Sequence, residues 1–257
     1  MLHRFSRTEL LIGPDGLAKL AASTVMVFGI GGVGSFTVEG LARAGVGHLI
    51  LVDFDDICLT NLNRQIHALH STVGAAKVDV MKVRVADINP EAQVEAIKKF
   101  YLPDEAEFFL NRRLDYVVDA VDTVAAKVSL AKECLDRKIP FIASMGAGNR
   151  LTADFRVADI AQTSGDPLAK AVRKMLRREG ITTGFKVVYT PEPPAARITC
   201  VADCRVNCIC PGGDAHCAKK RQIPGSISFV PPIAGLLLAG EVIRDLLNYR
   251  SSDKISS

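Results

Sequence analysis

The chain has 257 residues, of which 48% are hydrophobic and 23% charged, and its formal net charge is +4. This composition is typical of globular proteins and excludes disorder or a collagen-like repeat as the main character of the chain. No apolar run approaches the roughly 18 residues of a membrane span, and the charged N-terminus lacks the apolar core of a signal peptide. We therefore expect a cytoplasmic protein with no membrane partner.

The first half of the chain predicts strands that alternate with helices. Strands are expected at 24–30, 48–52, 94–97, 116–121 and 141–144, and helices at 33–44, 75–88 and 124–137. Such alternation is typical of βαβ units, which build a parallel sheet. We predict an α/β fold for residues 1–150, with a Rossmann-like, mostly parallel sheet and helices on both of its faces.

Residues 151–257 are predicted to extend this sheet as a C-terminal α+β segment with antiparallel strands. The pattern indicates a helix at 167–179, a strand at 185–189, a cysteine-rich loop and a last helix at 233–248. No low-complexity linker separates the two halves. We expect them to form one continuous domain.

A glycine-rich turn follows the first predicted strand and opens the first predicted helix. Gly29, Gly31, Gly32 and Gly34 form the pattern G-x-G-G-x-G. Such a turn allows the backbone to approach a phosphate closely, and a helix N-terminus favours negative charge. Asp53 ends the next strand, where a carboxylate commonly binds a ribose hydroxyl. These features predict a nucleotide site.

Two cations and one carboxylate indicate which nucleotide is bound. Arg64 and Lys77 supply more positive charge than a dinucleotide pyrophosphate needs, and Asp122 follows a buried strand, where it could hold Mg²⁺. Two cations and a metal suit displacement at the phosphorus of a triphosphate. An NAD-dependent oxidoreductase is disfavoured because no acid–base residue for hydride transfer is evident. A binding module without catalysis is disfavoured because all three residues occur together.

Five motifs occur in a fixed order over about residues 4–145: G-x-G-G-x-G, D-x-D, N-x-x-R-Q, G-x-x-K and D-x-x-D. Together they resemble the ubiquitin-activating superfamily, which includes the bacterial MoeB, ThiF and HesA proteins. The resemblance implies that residues 1–150 bind ATP and adenylate a carboxylate, with pyrophosphate leaving. It implies phosphate contacts from the glycine turn, Asn61, Arg64 and Lys77, and nucleotide contacts from Asp53 and Asp55. It further implies Mg²⁺ at Asp122 and catalytic roles for Arg64, Lys77, Asp122 and Arg7, the last reaching the partner's site in a homodimer.

The second half is similar to one branch of that superfamily, the tRNA threonylcarbamoyladenosine dehydratases. The similar segments are 166–170, 173–178, 187–190 and, most specifically, 224–231. The resemblance implies that ATP activates the threonyl carboxylate of this nucleoside in tRNA, and that the carbamoyl group then closes a ring and releases AMP. The alternative is an adenylyltransferase for the C-terminus of a ubiquitin-like sulfur carrier. That alternative is disfavoured because the paired C-x-x-C zinc motifs usual in such enzymes are missing.

Basic residues recur at helical spacing in the predicted helix at 167–179. With this spacing they share one face, and clustered cations suit a phosphate backbone. They are Lys170, Arg173, Lys174, Arg177 and Arg178. We favour tRNA contact over the alternative of a simple solvated face.

A cysteine cluster lies between the last predicted strand and the last helix. Four thiolates in one loop can bind zinc or an iron–sulfur cluster, and the alternatives are reduced thiols without metal or disulfides formed during handling. The candidate ligands are Cys204, Cys208, Cys210 and Cys217. A monovalent cation and sulfur-transfer partner proteins stay open as further requirements.

Overall fold

The structure is a computed structural model that describes residues 2–196 and 224–249 of the chain. Its strands are β1 (Thr24–Phe28), β2 (His48–Val52), β3 (Gln93–Ile97), β4 (Tyr116–Asp119), β5 (Phe141–Ser144), β6 (Arg156–Asp159) and β7 (Lys186–Tyr189). Its helices are α1 (Ser6–Ala22), α2 (Gly34–Ala44), α3 (Lys77–Ile88), α4 (Ala106–Leu110), α5 (Val124–Asp136), α6 (Pro167–Arg178) and α7 (Val230–Leu247).

All seven strands belong to one sheet in the order β3-β2-β1-β4-β5-β7-β6. Every neighbouring pair is parallel except β6 with β7. The predicted α/β fold with a mostly parallel sheet is therefore confirmed. The expectation of antiparallel strands in the second half is right for β6 but wrong for β7. The chain crosses through β6 and α6 before β7 pairs with β5, and such a crossover makes the second strand parallel.

Helices cover both faces of the sheet, as expected. Side chains that alternate along each strand enter two cores, so that Met26 and Phe28 of β1 face one core while Val25 and Val27 face the other. The first core is closed by α4, α5 and α6, and the second by α1, α2, α3 and α7. Burial on both faces explains why the central strands consist mostly of apolar residues.

The last helix, α7, packs closely across α2. Gly235 allows this approach, because a Cβ at that position would lie only 2.2 Å from the Val33 carbonyl oxygen. The Thr37 hydroxyl donates a hydrogen bond to the Gly235 carbonyl oxygen at 3.0 Å. The second half of the chain thus supports the helix that begins at the glycine turn. In the part of the chain that the structure describes, no helix has the length and apolar character needed to cross a membrane.

Candidate active site

The glycine turn lies at the carboxyl edge of the sheet, between β1 and α2. The Gly29 N–H donates to the Val52 carbonyl oxygen at 2.8 Å. Gly29 has a φ of +84°, and a Cβ there would lie 2.7 Å from the Ala120 carbonyl oxygen. Only glycine fits both restraints. Within the described residues, α2 has neither an acidic side chain in its first turn nor a side-chain cap, so its N-terminus suits an anionic ligand.

Asp53 ties the end of β2 to this turn. Its Oδ2 accepts the Ile30 N–H at 2.6 Å, and its Oδ1 accepts the Asp55 N–H at 2.9 Å. Burial raises the pKa of Asp53, and the charge of Lys77 partly opposes that effect. The carboxylate is therefore fixed beside the turn, at the position predicted for a nucleotide contact.

Lys77 begins α3 and points its ammonium group at the same carboxylates. Its Nζ lies 2.7 Å from Asp55 Oδ2 and 3.9 Å from Asp53 Oδ1. Only 5% of Lys77 is exposed. Three residues from two sequence motifs, D-x-D and G-x-x-K, thus form one charged group at the carboxyl edge.

Arg64 covers the glycine turn from the other side. Its Cγ lies 3.2 Å from the position that a Cβ on Gly32 would take. Its Nη1 donates to Asn63 Oδ1 at 2.8 Å and to the Thr60 carbonyl oxygen at 3.1 Å. Burial lowers the pKa of Arg64, and its guanidinium forms no ion pair with a described acidic side chain. Asn61 lies in the same segment, where its Oδ1 accepts the Cys58 N–H at 3.0 Å.

Asp122 is exposed in the loop between β4 and α5. The backbone of Ala120, in the same loop, lies beside Gly29. One carboxylate combined with substrate phosphates is a common way to bind Mg²⁺, so this residue fits the predicted role. The described residues contain no cluster of three or more potential metal ligands. The cysteines of the predicted zinc or iron–sulfur site, Cys204, Cys208, Cys210 and Cys217, lie outside the described residues.

A buried ion pair at this edge was missed by the sequence analysis. Lys127 Nζ lies 3.1 Å from Asp119 Oδ2, and both side chains are almost fully buried. Lys127 also donates to the Ser144 carbonyl oxygen at 2.6 Å, and Asp119 Oδ1 accepts the Val121 N–H at 3.0 Å. Burial raises the pKa of Asp119, which the charge of Lys127 opposes. The pair fixes the loop that carries Asp122. Asp119 is the first carboxylate of the D-x-x-D motif, whereas Lys127 had no sequence signal besides its place on the buried face of α5.

The basic helix α6 projects from the opposite half of the sheet. Asp166 caps its N-terminus by accepting the N–H groups of Leu168 and Ala169 at 2.8 and 3.0 Å. Arg173 is half-buried, and its guanidinium donates to the backbone and side-chain oxygens of Thr163. The remaining predicted cations are exposed and form no ion pair with a described residue: Lys170, Lys174, Arg177 and Arg178.

Arg7 lies far from this group, near the N-terminus of α1. Arg4 pairs with Glu91 at 2.8 Å, and Phe5 packs against Gly45. Those two partners lie in the loops that lead into β3 and β2, at the amino edge of the sheet. The structure therefore does not bring the exposed Arg7 to the glycine turn of its own chain.

Comparison with known proteins places the chain in a family. The ThiF family model matches residues 5–256. The chain belongs to the ThiF family. It is 52% identical over 249 residues to the tRNA threonylcarbamoyladenosine dehydratase of Bacillus subtilis, covering 96% of each chain. The crystal structure of the Escherichia coli dehydratase TcdA in complex with ATP matches with a TM-score of 0.83 and 32% identity, over 98% of this chain and 96% of that one.

A second structure of the E. coli enzyme, in complex with AMP, matches with a TM-score of 0.82 and 33% identity, covering 95% of this chain and 94% of that chain. These findings confirm the superfamily resemblance and the dehydratase branch. They do not favour the sulfur-carrier alternative. Within this ThiF-family fold, the arrangement at the carboxyl edge can bind a polyphosphate and stabilise charge that develops at phosphorus.

Proposed function

We propose that this protein is an ATP-dependent tRNA threonylcarbamoyladenosine dehydratase of the cytoplasm. The observation that carries the proposal is the likeness to the B. subtilis dehydratase over nearly the whole length of both chains. The charged group at the carboxyl edge supports it, because a glycine turn with two nearby cations suits ATP. The 1–150 half would hold the nucleotide, and the 151–257 half would hold the tRNA.

The proposed reaction has two steps. In the first, a carboxylate oxygen of the threonyl group attacks the α-phosphorus of ATP, and pyrophosphate leaves. In the second, a nucleophilic atom of the carbamoyl group attacks the acyl carbon and releases its proton to solvent, the ring closes, and AMP leaves with that carboxylate oxygen. The nucleoside loses one water in total. The second step is intramolecular, so proximity supplies much of its rate and no enzyme nucleophile is needed.

The residues at the carboxyl edge have distinct proposed roles. The N–H groups of the glycine turn would bind phosphate oxygens, and Arg64 and Lys77 would stabilise the negative charge on the transferring phosphorus and on the leaving pyrophosphate. Asp53 would bind the ribose. Mg²⁺ held by Asp122 would supply further charge neutralisation when bound.

The tRNA is proposed to bind α6. Four exposed cations lie on its outer face, while Val172 and Leu176 anchor its inner face in the core. Contact with the phosphate backbone would give an affinity that decreases with salt. Arg173 is tied to Thr163 and is expected to contribute least.

A homodimer is proposed because Arg7 lies at the edge opposite its own glycine turn. The nearby side chains of α1 are unusually exposed for apolar residues: Leu10 is 85% and Leu11 is 79% exposed. A second copy that packed on this surface would cover them and could receive Arg7 in its own site. Zinc or an iron–sulfur cluster, a monovalent cation and sulfur-transfer proteins remain open additions to the proposal.

The test is to incubate the purified protein with ATP, Mg²⁺ and tRNA that carries threonylcarbamoyladenosine, and to weigh the digested nucleosides. We expect that nucleoside to lose one water, with AMP and pyrophosphate formed in equal amounts. An ATP analogue with a methylene group between the α- and β-phosphorus is the control and should give no product. An unchanged nucleoside mass would overturn the proposal.

A further inference from the structure

Arg150 is a buried arginine that has no counter-ion in the described part of the chain. It lies in the loop that follows β5, and only 3% of it is exposed. Its Nε and Nη1 have no hydrogen-bond partner among the described residues, and none of the ion pairs found there includes it. A buried charge without a partner carries a large desolvation cost. The site is therefore electrostatically incomplete, and an anion would complete it.

The backbone around Arg150 is held against the segment that precedes α7. The Asn149 N–H donates to the Gly225 carbonyl oxygen at 2.8 Å, and the Gly225 N–H donates to Asn149 Oδ1 at 2.7 Å. The next residue of each segment is polar and unsatisfied, because the Ser226 Oγ is also buried without a described partner. Arg150 and Ser226 thus directly follow Asn149 and Gly225, the two residues that are hydrogen-bonded to each other, and both carry donors without a described partner.

This pair of segments is linked to the glycine turn. The Asn63 side-chain amide donates to the Ser226 carbonyl oxygen at 3.0 Å, and Asn63 Oδ1 accepts from Arg64 at 2.8 Å. Arg64 in turn packs over Gly32, and so does Pro231, which follows the same segment. Arg150 also follows a parallel strand at the carboxyl edge, where ligands bind in open α/β sheets.

We propose that Arg150, assisted by the Ser226 hydroxyl, binds the substrate carboxylate that attacks the α-phosphorus. This inference rests on the proposed function and assigns its acyl subsite. A guanidinium fork matches the two oxygens of a carboxylate. The phosphates of ATP already have Arg64, Lys77 and the N–H groups of the turn. A carboxylate and a phosphate both offer two anionic oxygens to a guanidinium group. The experiment is therefore designed to distinguish the substrate carboxylate from a phosphate of ATP.

The experiment compares the unaltered protein with R150M, R150K, R150Q and S226A. The control is R156M, which removes an exposed arginine that pairs with Asp154 at 3.2 Å. Three quantities are measured: the Kd for ATP alone, the KM for an RNA stem-loop that carries threonylcarbamoyladenosine, and the competition between that stem-loop and its threonyl methyl ester. The ester keeps the shape of the ligand but lacks the negative charge.

We expect R150M to raise the KM for the stem-loop about tenfold or more, because a hydrogen bond to a charged group is worth one to two powers of ten in binding. The Kd for ATP should stay within about twofold. The unaltered protein should prefer the acid to the ester, and R150M should lose that preference. R150M should also unfold at no lower temperature than the unaltered protein, because it removes a charge that has no partner. R150K should behave between R150M and the unaltered protein.

An unchanged KM and an unchanged acid preference in R150M would overturn the inference while the proposed function stands. A weaker Kd for ATP with an unchanged KM for the stem-loop would also overturn it, since the anion would then be a nucleotide phosphate. If R150M does not fold, R150Q compared with R150K gives the same test. Failure of the unaltered protein to dehydrate the stem-loop would overturn the proposed function and this inference together.

Discussion

The two sides of the candidate active site differ in how their charges are satisfied. On the nucleotide side, the Asp53 carboxylate accepts two backbone N–H groups, and Lys77 pairs with Asp55. On the side of the β5–β6 loop, Arg150 and Ser226 have buried polar atoms with no described partner. The two carboxylates and the ammonium group of Lys77 are thus held by the protein's own bonds. On the other side the protein leaves donors for the ligand to satisfy.

The largest expected effect on the reaction rate comes from replacing Lys77 on the nucleotide side. K77M removes a positive charge from the proposed phosphate site, so we expect the rate of AMP formation at saturating substrates to fall about a thousandfold. The control is K82M, which replaces an exposed lysine on the same helix. The rate is measured in a single turnover. Equal rates for K77M and K82M would remove Lys77 from the catalytic group.

Stability should distinguish a partnered charge from an unpartnered one. K127M leaves the buried Asp119 without its counter-ion, so the free energy of unfolding should fall by about 3 kcal/mol or more. R150M should cost almost none, because Arg150 has no described partner to leave behind. Urea denaturation of both variants measures the difference. Equal losses would contradict the contrast between the two sides.

Replacing Asp122 tests whether its carboxylate binds Mg²⁺ on the nucleotide side. D122A should leave the fold intact, since the side chain is exposed, and should lower pyrophosphate release about a hundredfold at low Mg²⁺. A higher Mg²⁺ concentration should recover part of this loss, because the substrate phosphates supply the other ligands. Normal release at every Mg²⁺ concentration would show that Asp122 does not hold the ion.

The exposed cations on the outer face of α6 are expected to bind the tRNA backbone, and charge reversal on this face tests that contact. K174E/R177E should weaken tRNA binding about tenfold at moderate salt and reduce the slope of log affinity against log salt by about 1.5. K19E/K82E makes the same change of charge on two other helices and should leave the slope unaltered. Filter binding over a range of salt measures both. An unchanged slope in K174E/R177E would return α6 to the interpretation as a solvated face.

The smallest effect concerns Glu39, which joins α2, the helix after the turn, to α3, the helix that begins with Lys77. Burial alone would raise the pKa of Glu39, but bonds from Arg84 and Arg43 at 2.7 Å hold it below 4.5. A lowered pKa stabilises the fold above the unfolded pKa, and this stabilisation disappears as the pH falls through the folded pKa. E39Q should therefore lose about 1 kcal/mol at neutral pH.

The pH profile provides the check on this assignment. Between about pH 6 and pH 3, the free energy of unfolding of E39Q should fall less than that of the unaltered protein, since it no longer has this carboxylate to protonate. Parallel profiles would show that Glu39 does not contribute in the charged form.

Much of the fold followed from the sequence because its signals are local. Apolar runs located β1 to β5 and β7 to within two residues at each end, and the turn glycines marked the start of α2. Three elements were missed for physical reasons. Helix α4 has only five residues, which are too few to show a helical period. Gly13 and Pro14 interrupt the helical period of α1, where Gly13 has a φ of +70°, and β6 is a short edge strand without buried residues. The direction of β7 depends on the crossover from β5, which no local pattern encodes.

The residues of the candidate active site also divide into those that the sequence predicted and those that it did not. Residues in contiguous motifs, such as Asp53 and Lys77, could be found because each motif has its own spacing. Lys127 and Arg150 could not, because their importance depends on which partners the fold supplies. Lys127 pairs with a buried carboxylate, whereas Arg150 has no such partner in residues 2–196 and 224–249, and this difference exists only in three dimensions.

Oxygen labelling shows whether the threonyl carboxylate attacks the α-phosphorus of ATP. The stem-loop is prepared with ¹⁸O in both oxygens of that carboxylate, and the reaction products are weighed. Attack at the α-phosphorus predicts AMP that carries one ¹⁸O, together with unlabelled pyrophosphate and a nucleoside that has lost one water. Labelled inorganic phosphate with ADP, or unlabelled AMP, would contradict the account.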